Sequence, residues 1–432
     1  MRLFLALVLP LGLSVVAPCC AAPPAPADRA LVAEIERRAF RFFLDHTNPK
    51  TGLVRDRACN FSGKETRNAA SIAATGFGLA SIPIGVKRGW IAKNHGQKRA
   101  LTALRFLAFQ APNERGFFYH FVDWNTGRRL WNSEVSSIDS ALLFGGALTV
   151  GEYYGGEVRR LAYFLLERAD FRWMLTDGGA KSDSLFLCHG WTPEGGFLPH
   201  RWDTYAEQSL LYLLAIGVGR HSIPGQCWDA VRRPVGTYAG LWTFHAGPLF
   251  IHQFSHAFVN FRGMRDRRGF DYWQASVNAT LINRQFCIDQ ASRYRSYGPN
   301  SWGLSASDCV DGYHVHGAPP GWAGHDGTVC PDAALASMPF APGLCISLAR
   351  HLLRVHGGKL WGRYGFSDAF NVDRDWWDRD VVGIDVGCML LMVENWRSGL
   401  VWKLCGKSPI LRRGIKLAGL KRTASKGPGK PN

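Results

Sequence analysis

One short stretch of the sequence, residues 202–211, combines residue types that could move a proton. Glu207 stands just before an apolar run, with Trp202 and Tyr205 close by. Aromatic faces stack on pyranose rings, and apolar surroundings raise the pKa of a carboxylic acid until it can donate a proton near neutral pH. The pattern is therefore typical of a site that cleaves sugars. The alternative is structural, because Thr204 and Glu207 also have the spacing of a capping box, which satisfies the first free N–H groups of a helix.

Further acids stand in loops or at predicted helix starts, mostly beside aromatic residues or glycine. They are Asp56, Glu134, Asp139, Asp308, Asp311, Asp326, Asp368 and Asp385. Carboxylates accept hydrogen bonds from sugar hydroxyls, and glycine permits close approach of a ligand, so the set favours a polyol groove. For Glu134 and Asp139, and for Asp385 as an N-cap, a helix-capping role remains the alternative.

Other kinds of chemistry have little support in the sequence. The cysteines form no C-x-x-C, and the loop histidines, which we expect to form hydrogen bonds, have no metal-ligand spacing: His120, His189, His314, His316 and His325. The sequence has no P-loop, G-x-S-x-G or H-E-x-x-H, and Gly76-Phe77-Gly78 lacks the third glycine of a dinucleotide site. We therefore expect no metal and no other cofactor.

The composition is that of an exported globular protein. Of 432 residues, 47% are hydrophobic and 20% charged, which excludes a disordered chain. Arg2, the apolar run 3–17 and the small residues that follow predict a signal peptide over residues 1–22, and hence a periplasmic or secreted protein; the alternative is a retained anchor helix. Nine cysteines follow the signal, so disulfides are possible, at least one cysteine is left over, and several could be plain core residues.

The net charge of +17 is concentrated at the C-terminus. Residues 403–432 hold nine Lys or Arg and no acid. This basic C-terminal tail is either a solvated segment or a surface arm that makes weak contact with an anionic membrane. Nothing indicates nucleic-acid binding, and we expect a monomer.

The elements that must position these residues are helical. Apolar spacing predicts helices joined by long Gly-rich loops, and strand-like alternation is scarce. No break in composition divides residues 28–402, so we predict one all-α domain of paired helices packed in a ring, with functional loops at one end. The predicted helical segments are 28–43, 69–84, 101–109, 132–154, 159–175, 210–216, 248–261, 270–293, 332–355, 386–396 and 410–420.

Taken together, several segments resemble the bacterial glucoamylase-like family that includes endo-β-1,2-glucanases, in the same order along the chain. The matching segments are 75–79, 116–121 with Asp123 and Gly127, Glu134 with Ile138 and Asp139, 205–207, 326–328, 337–342, 364–371, 383–387 and 394–395. The sequence departs from the family pattern at Ala206, Cys388, His256 and Asn260.

The resemblance implies an (α/α)6 toroid with a cleft and hydrolysis of a β-linked glucan, by inversion in the characterised endo-β-1,2-glucanases. It implies that Glu207 is the general acid, that Asp385 is the base, and that Glu134 and Asp139 line the cleft. With the loop residues above, we expect the substrate-binding set to be Glu134, Asp139, Asp56, Arg57, Tyr119, His120, Trp202, Tyr205, Asp308, Tyr313, Asp326, Phe366 and Asp368.

The resulting hypothesis is an exported inverting glycoside hydrolase whose substrate is an oligo- or polysaccharide, with β-1,2-glucan as the first expectation. The first alternative is a non-hydrolytic glucan-binding or glucan-remodelling periplasmic protein. A polysaccharide lyase on the same toroid is disfavoured, because lyases need cations to neutralise an acidic sugar and the motifs here are rich in acids.

Overall fold

The computed structural model describes residues 25–63, 65–321 and 324–422, so the predicted signal peptide lies outside the described residues. The chain is rich in helices. Two short 3-10 helices, Asp177–Gly179 and Leu249–His252, accompany the α-helices. The α-helices are α1 Pro26–His46, α2 Ile72–Lys87, α3 Lys93–Phe109, α4 Ser137–Tyr154, α5 Gly156–Glu167, α6 Phe171–Thr176, α7 Ser209–Gly217, α8 Gln226–Ala230, α9 Phe254–Phe258, α10 Tyr272–Asp289, α11 Pro331–Ala336, α12 Pro342–Leu360, α13 Gly383–Ser398, α14 Leu400–Cys405 and α15 Pro409–Leu417.

Short antiparallel ribbons occupy the connections between helices. The chain pairs β1–β18, β2–β5, β3–β4, β9–β10, β11–β19, β12–β13, β14–β15 and β16–β17, and β6–β7–β8 form a three-stranded sheet. The strands are β1 Arg57–Cys59, β2 Ala69–Ser71, β3 Asn113–Glu114, β4 Phe117–Phe118, β5 Phe121–Asp123, β6 Val135–Ser136, β7 Gly190–Thr192, β8 Gly196–Phe197, β9 Val235–Tyr238, β10 Leu241–Phe244, β11 Met264–Arg265, β12 Ala306–Cys309, β13 Gly312–Val315, β14 Trp361–Gly362, β15 Gly365–Phe366, β16 Phe370–Asn371, β17 Trp376–Trp377, β18 Asp380–Val382 and β19 Lys421–Arg422.

Three predicted helices are broken in the structure. The segment predicted at 332–355 is divided between α11 and α12, because Pro342 has no N–H to donate and is tolerated only in the first turn of a new helix. The segment at 248–261 contains a 3-10 turn and the short α9. The segment at 159–175 is interrupted after α5, and Asp170 caps the start of α6 by accepting from the Trp173 N–H at 2.9 Å.

The core is built from helices that are buried almost all around. Nearly every residue of α2, α4, α7 and α11, and of the first three turns of α13, is inaccessible to solvent. Helix α2 contacts α4 and α13, α4 contacts α7, and α11 contacts α13. The α2–α4 pair approaches closely through glycine, since a Cβ added to Gly146 would lie 1.9 Å from the Gly76 carbonyl oxygen. Sequences that are apolar on every face are expected for such helices.

The packed part of the chain extends well beyond Trp402, where the sequence predicted a basic tail. Helix α15 lies directly against α7, because a Cβ added to Gly414 would meet the Leu213 carbonyl oxygen at 1.9 Å. The next strand, β19, pairs with β11. The expectation of a solvated tail over residues 403–422 was therefore wrong. The physical reason is that glycine lets the short amphipathic helix α15 pack closely against the apolar helix α7. Residues 423–432 lie outside the described residues.

All nine cysteines after the predicted signal are unpaired, and eight of them are buried. Of the alternatives left open by the sequence, the structure therefore favours core residues. Among the described residues, none of the helices combines the length and apolar character that crossing a bilayer would need.

Candidate active site

A cleft of about 1190 Å³ opens where the starts of the buried helices meet the β12–β13 hairpin. Its floor and walls are mainly apolar, with polar groups at a few points, as in most ligand sites. Six of the predicted site residues line it, namely Asp56, Arg57, His120, Asp139, Glu207 and Tyr313. The remaining lining residues are Ala73, Phe121, Ile138, Leu142, Phe250, Phe254, Ala306, Val315, Val382 and Ile384.

Glu207 lies on the turn that leads into α7, with its side chain in the cleft wall. Burial raises the pKa of its carboxyl to about 7; a bond to its own backbone opposes the shift, and the negative charge of Asp139 adds to it. The turn is fixed by Ser255, whose hydroxyl donates to the Glu207 carbonyl oxygen at 2.6 Å. A carboxylic acid in this state can deliver a proton at neutral pH.

The capping-box interpretation of Glu207 is wrong. Helix α7 begins at Ser209, and no side chain caps its first turn. The Thr204 hydroxyl instead donates to Asp203, and Gln208 closes the turn by bonding the backbone of residues 204 and 206. The Glu207 side chain is thus left for the cleft.

His120 joins two acids at one side of the cleft. Its Nδ1 lies 3.0 Å from a Glu134 carboxylate oxygen, and its Nε2 lies 3.5 Å from an Asp139 oxygen. Burial alone would lower the pKa of His120, but Asp139, Glu134 and Asp56 outweigh it and raise that pKa to about 9. The imidazolium in turn lowers the pKa of Glu134, against the effect of burial. At neutral pH this side of the cleft therefore carries a cation held between two carboxylates.

Asp139 has both of the roles that the sequence left open. Ser136 is the N-cap of α4, and its hydroxyl accepts from the Asp139 N–H at 3.2 Å and donates to the Asp139 carboxylate. The same carboxylate also lines the cleft. The capping arrangement fixes the Asp139 side chain beside His120, so the negative charge of Asp139 is held in position.

Arg57, the first residue of β1, links this strand to the β12–β13 hairpin. Its Nε donates to Asp56 at 2.9 Å, and its Nη1 donates to both oxygens of Asp308 at 2.6 and 2.8 Å. Burial opposes the charge, but these two carboxylates raise the pKa of Arg57 further above its ordinary value. The Asp308 N–H donates to Asp368 at 2.9 Å, and so connects this pair to buried acids behind the cleft wall.

Asp385 lies behind the cleft wall formed by its neighbours Val382 and Ile384. It is the third residue of α13 rather than its N-cap, so the capping prediction was wrong. Only 5% of Asp385 is exposed, and within the described structure its Oδ2 has no hydrogen-bond partner. Burial raises the pKa of Asp385 well above its usual range, and the charges of Asp332, Asp308 and Asp56 add to the effect while Arg57 opposes it.

Two buried acids near Asp385 were not singled out from the sequence. Both carboxylate oxygens of Asp332, on α11, lack a partner among the described residues, and burial raises its pKa to about 8. Burial and the charge of Asp308 raise the pKa of Asp378 to about 7. Asp368 is fully buried and its pKa is raised well above the usual range by burial and by Asp385. The one sequence signal for Asp332 was an isolated acid in an otherwise apolar run.

Tyr313 is the aromatic side chain that the hairpin brings to the cleft. It stands opposite Asp308 in the β12–β13 register, and 44% of it is exposed. The apolar wall is completed by Phe121, Phe250 and Phe254. The last two belong to the helix predicted at 248–261, and only their positions in the fold distinguish them from core residues.

Eight predicted substrate-binding residues do not line this cleft. Glu134 and Asp308 contact its lining residues His120 and Arg57, and Asp368 accepts from the Asp308 N–H. The other five pack elsewhere. Trp202 is buried, stacked on His189 at 3.8 Å, and Tyr205 is buried against Phe244 at 4.1 Å. Phe366 packs on Trp361. Tyr119 lies under the Arg129 guanidinium, and Asp326 pairs with His316 at 3.2 Å. An aromatic residue next to an acid in sequence can pack into the core, since neighbouring side chains on a loop or strand point to different sides.

Folding also gathers metal-ligating side chains that show no motif in the sequence. Three groups have donor atoms within 4.8 Å of one another, and they are His120, Glu134 and Asp139; Asp308, Asp368 and Asp378; and Cys309, His316 and Asp326. In the first group the His120 imidazolium already lies between the two acids. In the second group Asp308 already accepts hydrogen bonds from Arg57. The third has three different donor types.

Comparison with known proteins confirms the resemblance that the sequence suggested. Residues 199–409 match a family model described as glycoamylase, putative glucoamylase. The chain is 27% identical over 428 residues to an exo beta-1,2-glucooligosaccharide sophorohydrolase (non-reducing end) of Parabacteroides distasonis. The match covers 90% of this chain but 58% of that protein, so the chain spans little more than half the length of this curated relative.

Solved structures of similar proteins cover almost the whole chain. A putative glucoamylase from Bacteroides uniformis superimposes with a TM-score of 0.84 at 27% identity, covering 93% of this chain and 99% of that one. An endo-beta-1,2-glucanase from Chitinophaga pinensis, solved with sophorotriose and glucose, gives a TM-score of 0.82 at 27% identity, covering 92% and 99%.

Proposed function

We propose that this chain is a glycoside hydrolase that cleaves a β-linked glucan, with β-1,2-glucan as its preferred substrate. The observation that carries the proposal is the Glu207 carboxyl, which lines an open cleft and has a pKa raised to about 7. The similar proteins from Parabacteroides distasonis and Chitinophaga pinensis, which act on β-1,2-linked glucans by their names, supply the linkage.

In the proposed reaction Glu207 protonates the glycosidic oxygen as the bond to the leaving sugar breaks. Its proton is available at neutral pH because the cleft wall disfavours the charged form and Asp139 places a negative charge nearby. The positive charge that develops on the sugar ring is then stabilised by the ionised carboxylates of the cleft. Positioned proton transfer of this kind contributes about 10²–10⁴-fold to a rate.

Asp385 is the proposed base of an inverting mechanism. An inverting pair needs about 6.5–9.5 Å between carboxyls, so that water fits on the face of the sugar opposite the acid. Because Asp385 lies behind Ile384 and Val382, we propose that it takes the proton through a substrate hydroxyl. The Arg57 guanidinium favours its ionised form. The raised pKa of Asp385 moves the acidic limb of the pH–rate profile above the ordinary range of aspartic acid.

We further propose that the helices form an (α/α)6 toroid. Six helices, α2, α4, α7, α9, α11 and α13, form the inner series. Five of them close a ring of contacts, α2 with α4, α4 with α7, α7 with α9, α9 with α13 and α13 with α2, and α11 joins this ring through α13. Helices α1, α3, α5, α12 and α15 contact members of this series. Such an arrangement places the starts of the inner helices around one opening, and it is there that Asp139, Glu207 and Asp385 stand.

Export and a monomeric state complete the proposal. Arg2 followed by the apolar residues 3–17 supports cleavage near residue 22 and release into the periplasm or medium. Sequencing the N-terminus of the protein recovered from those fractions tests the cleavage, and light scattering of the purified protein tests the oligomeric state.

The test of function is release of reducing ends from a panel of glucans with β-1,2, β-1,3 and β-1,4 linkages and from cyclic β-1,2-glucan. We expect cleavage of β-1,2-glucan with the α-anomer as first product. Glu207→Gln should lower turnover by at least about 10²-fold while glucan binding remains. Glu157→Gln is the matched control, because Glu157 pairs with Arg105 on the surface and does not line the cleft. Full activity of the Glu207 variant would contradict the proposal.

A further inference from the structure

The β12–β13 hairpin carries a group of three metal-ligating side chains on the side away from the cleft. Cys309 ends β12, His316 follows β13, and Asp326 lies in the loop that comes next. Their donor atoms all lie within 4.8 Å of one another, and none of the three lines the cleft. The proposed glycosidase reaction uses none of them.

Burial and hydrogen bonding indicate that these donors are held in place. Cys309 and His316 are 7% and 5% exposed. The backbone N–H of His316 donates to the Ser305 carbonyl oxygen at 3.0 Å, and the Asn371 side chain donates to the backbone carbonyl oxygen of Asp326 at 3.1 Å. Donors arranged on a fixed backbone lose little freedom when an ion binds.

One buried atom at this site lacks a partner. Among the described residues, His316 Nδ1 has no hydrogen-bond partner, although this atom is inaccessible to solvent. Its other ring nitrogen lies 3.2 Å from Asp326. Buried polar atoms normally have a partner, so the orphaned ring nitrogen of a histidine that groups with a thiol and a carboxylate points to a ligand.

We propose that Cys309, His316 and Asp326 bind one divalent transition-metal ion of the zinc type. A thiol, an imidazole and a carboxylate are the donors that zinc takes in proteins, and together they favour it over calcium or magnesium, which take oxygen. Zinc–ligand bonds of about 2.0–2.3 Å place tetrahedral donors about 3.3–3.8 Å apart. The three donors here lie within 4.8 Å of one another, so they need to approach by at most about 1.5 Å when the ion binds. Asp326, whose side chain is 42% exposed, leaves the fourth position open to water.

Binding would change bonds only at the metal. The Cys309 S–H bond breaks, a sulfur–metal bond forms, one proton passes to solvent, and nothing is oxidised. The ion would tie the end of the hairpin to the loop after it. Because Ala306, Tyr313 and Val315 of the same hairpin form part of the cleft wall, the ion would stabilise that wall from behind.

The test uses Co²⁺ as a spectroscopic probe on the full chain after chelation and desalting. We expect one equivalent to produce a thiolate-to-cobalt charge-transfer band in the near ultraviolet, which Zn²⁺ then abolishes by displacement. Cys309→Ser should remove the band and weaken Zn²⁺ binding by at least about 100-fold in calorimetry. Cys59→Ser is the matched control, since Cys59 is the one cysteine of the described residues that is not buried, and its loss should leave the band intact.

Asp326→Asn provides a second variant whose folding is not at risk, because this side chain is largely exposed. It should weaken Zn²⁺ binding by about 10–100-fold with an unchanged circular dichroism spectrum. A wild-type protein without the band, a band that persists in Cys309→Ser or disappears in Cys59→Ser, or unchanged Zn²⁺ affinity in Asp326→Asn would each overturn the proposal.

Discussion

The proton on Glu207 gives the proposed mechanism a measurable pH dependence. The proton donor is the uncharged carboxyl, so on the alkaline side of the profile activity should decline as pH rises through its pKa. With a pKa of about 7, about half of the molecules keep the proton at pH 7. A glutamic acid at the ordinary value of 4.5 would keep it in about one molecule in 300. The cleft wall thus increases the competent fraction by about 150-fold.

The assay is the pH dependence of kcat on β-1,2-glucan, measured between pH 4 and 10 by reducing-end release. We expect the alkaline limb near pH 7, with about tenfold loss per pH unit above it. The assignment of this limb to Glu207 is tested with Asp139→Asn, which removes the negative charge that helps to raise the pKa of Glu207. In this variant the alkaline limb should move to lower pH, whatever happens to the maximal rate.

Two nearby groups, His120 and Glu134, do not produce this limb. His120 has a pKa of about 9 and remains charged across the region, and the lowered pKa of Glu134 keeps that acid ionised. Glu157→Gln should leave the profile unchanged. An alkaline limb above pH 9, or a limb near 7 that does not move in Asp139→Asn, would refute the assignment of Glu207 as the acid.

Two further predictions concern stability. Gly414→Ala should lower the free energy of unfolding by about 1–3 kcal/mol or more, because the new methyl group would lie 1.9 Å from the Leu213 carbonyl oxygen. The control is Gly358→Ala, in α12 with open space around it, which should instead raise the free energy of unfolding by about 0.5–1 kcal/mol. Urea titrations that rank the two variants otherwise would contradict the packing of α15. Asp332 holds its proton more tightly in the folded than in the unfolded state, so its contribution to stability is present below pH 4 and is lost as pH rises through about 8. Asp332→Asn should therefore gain up to about 6 kcal/mol relative to wild type between pH 4 and pH 9, and a constant difference across that range would show that this carboxyl does not titrate as described.

The sequence predicted the features that depend on local patterns of residue types, namely helix positions and short motifs. Apolar periodicity located α1, α2, α4, α10 and α13 to within a few residues, and the run after Glu207 is the buried α7. The order of short motifs predicted the resemblance that the comparisons confirm. Five of the acids and polar residues found in this way, together with Tyr313, do line one cleft. Local spacing suffices here because each of these residues stands at a helix start or on a hairpin, and those starts face one opening.

Only the tertiary structure decided which side of each loop a residue faces. Trp202, Tyr205 and Phe366 stand beside candidate acids in the sequence but are buried elsewhere, whereas Phe250 and Phe254 resemble core residues and line the cleft. The grouping of Cys309, His316 and Asp326 has no motif, since six and nine residues separate its members. Chemistry between side chains acts over a few ångströms, and those distances are set by how distant segments pack, which a linear pattern of residue types does not encode.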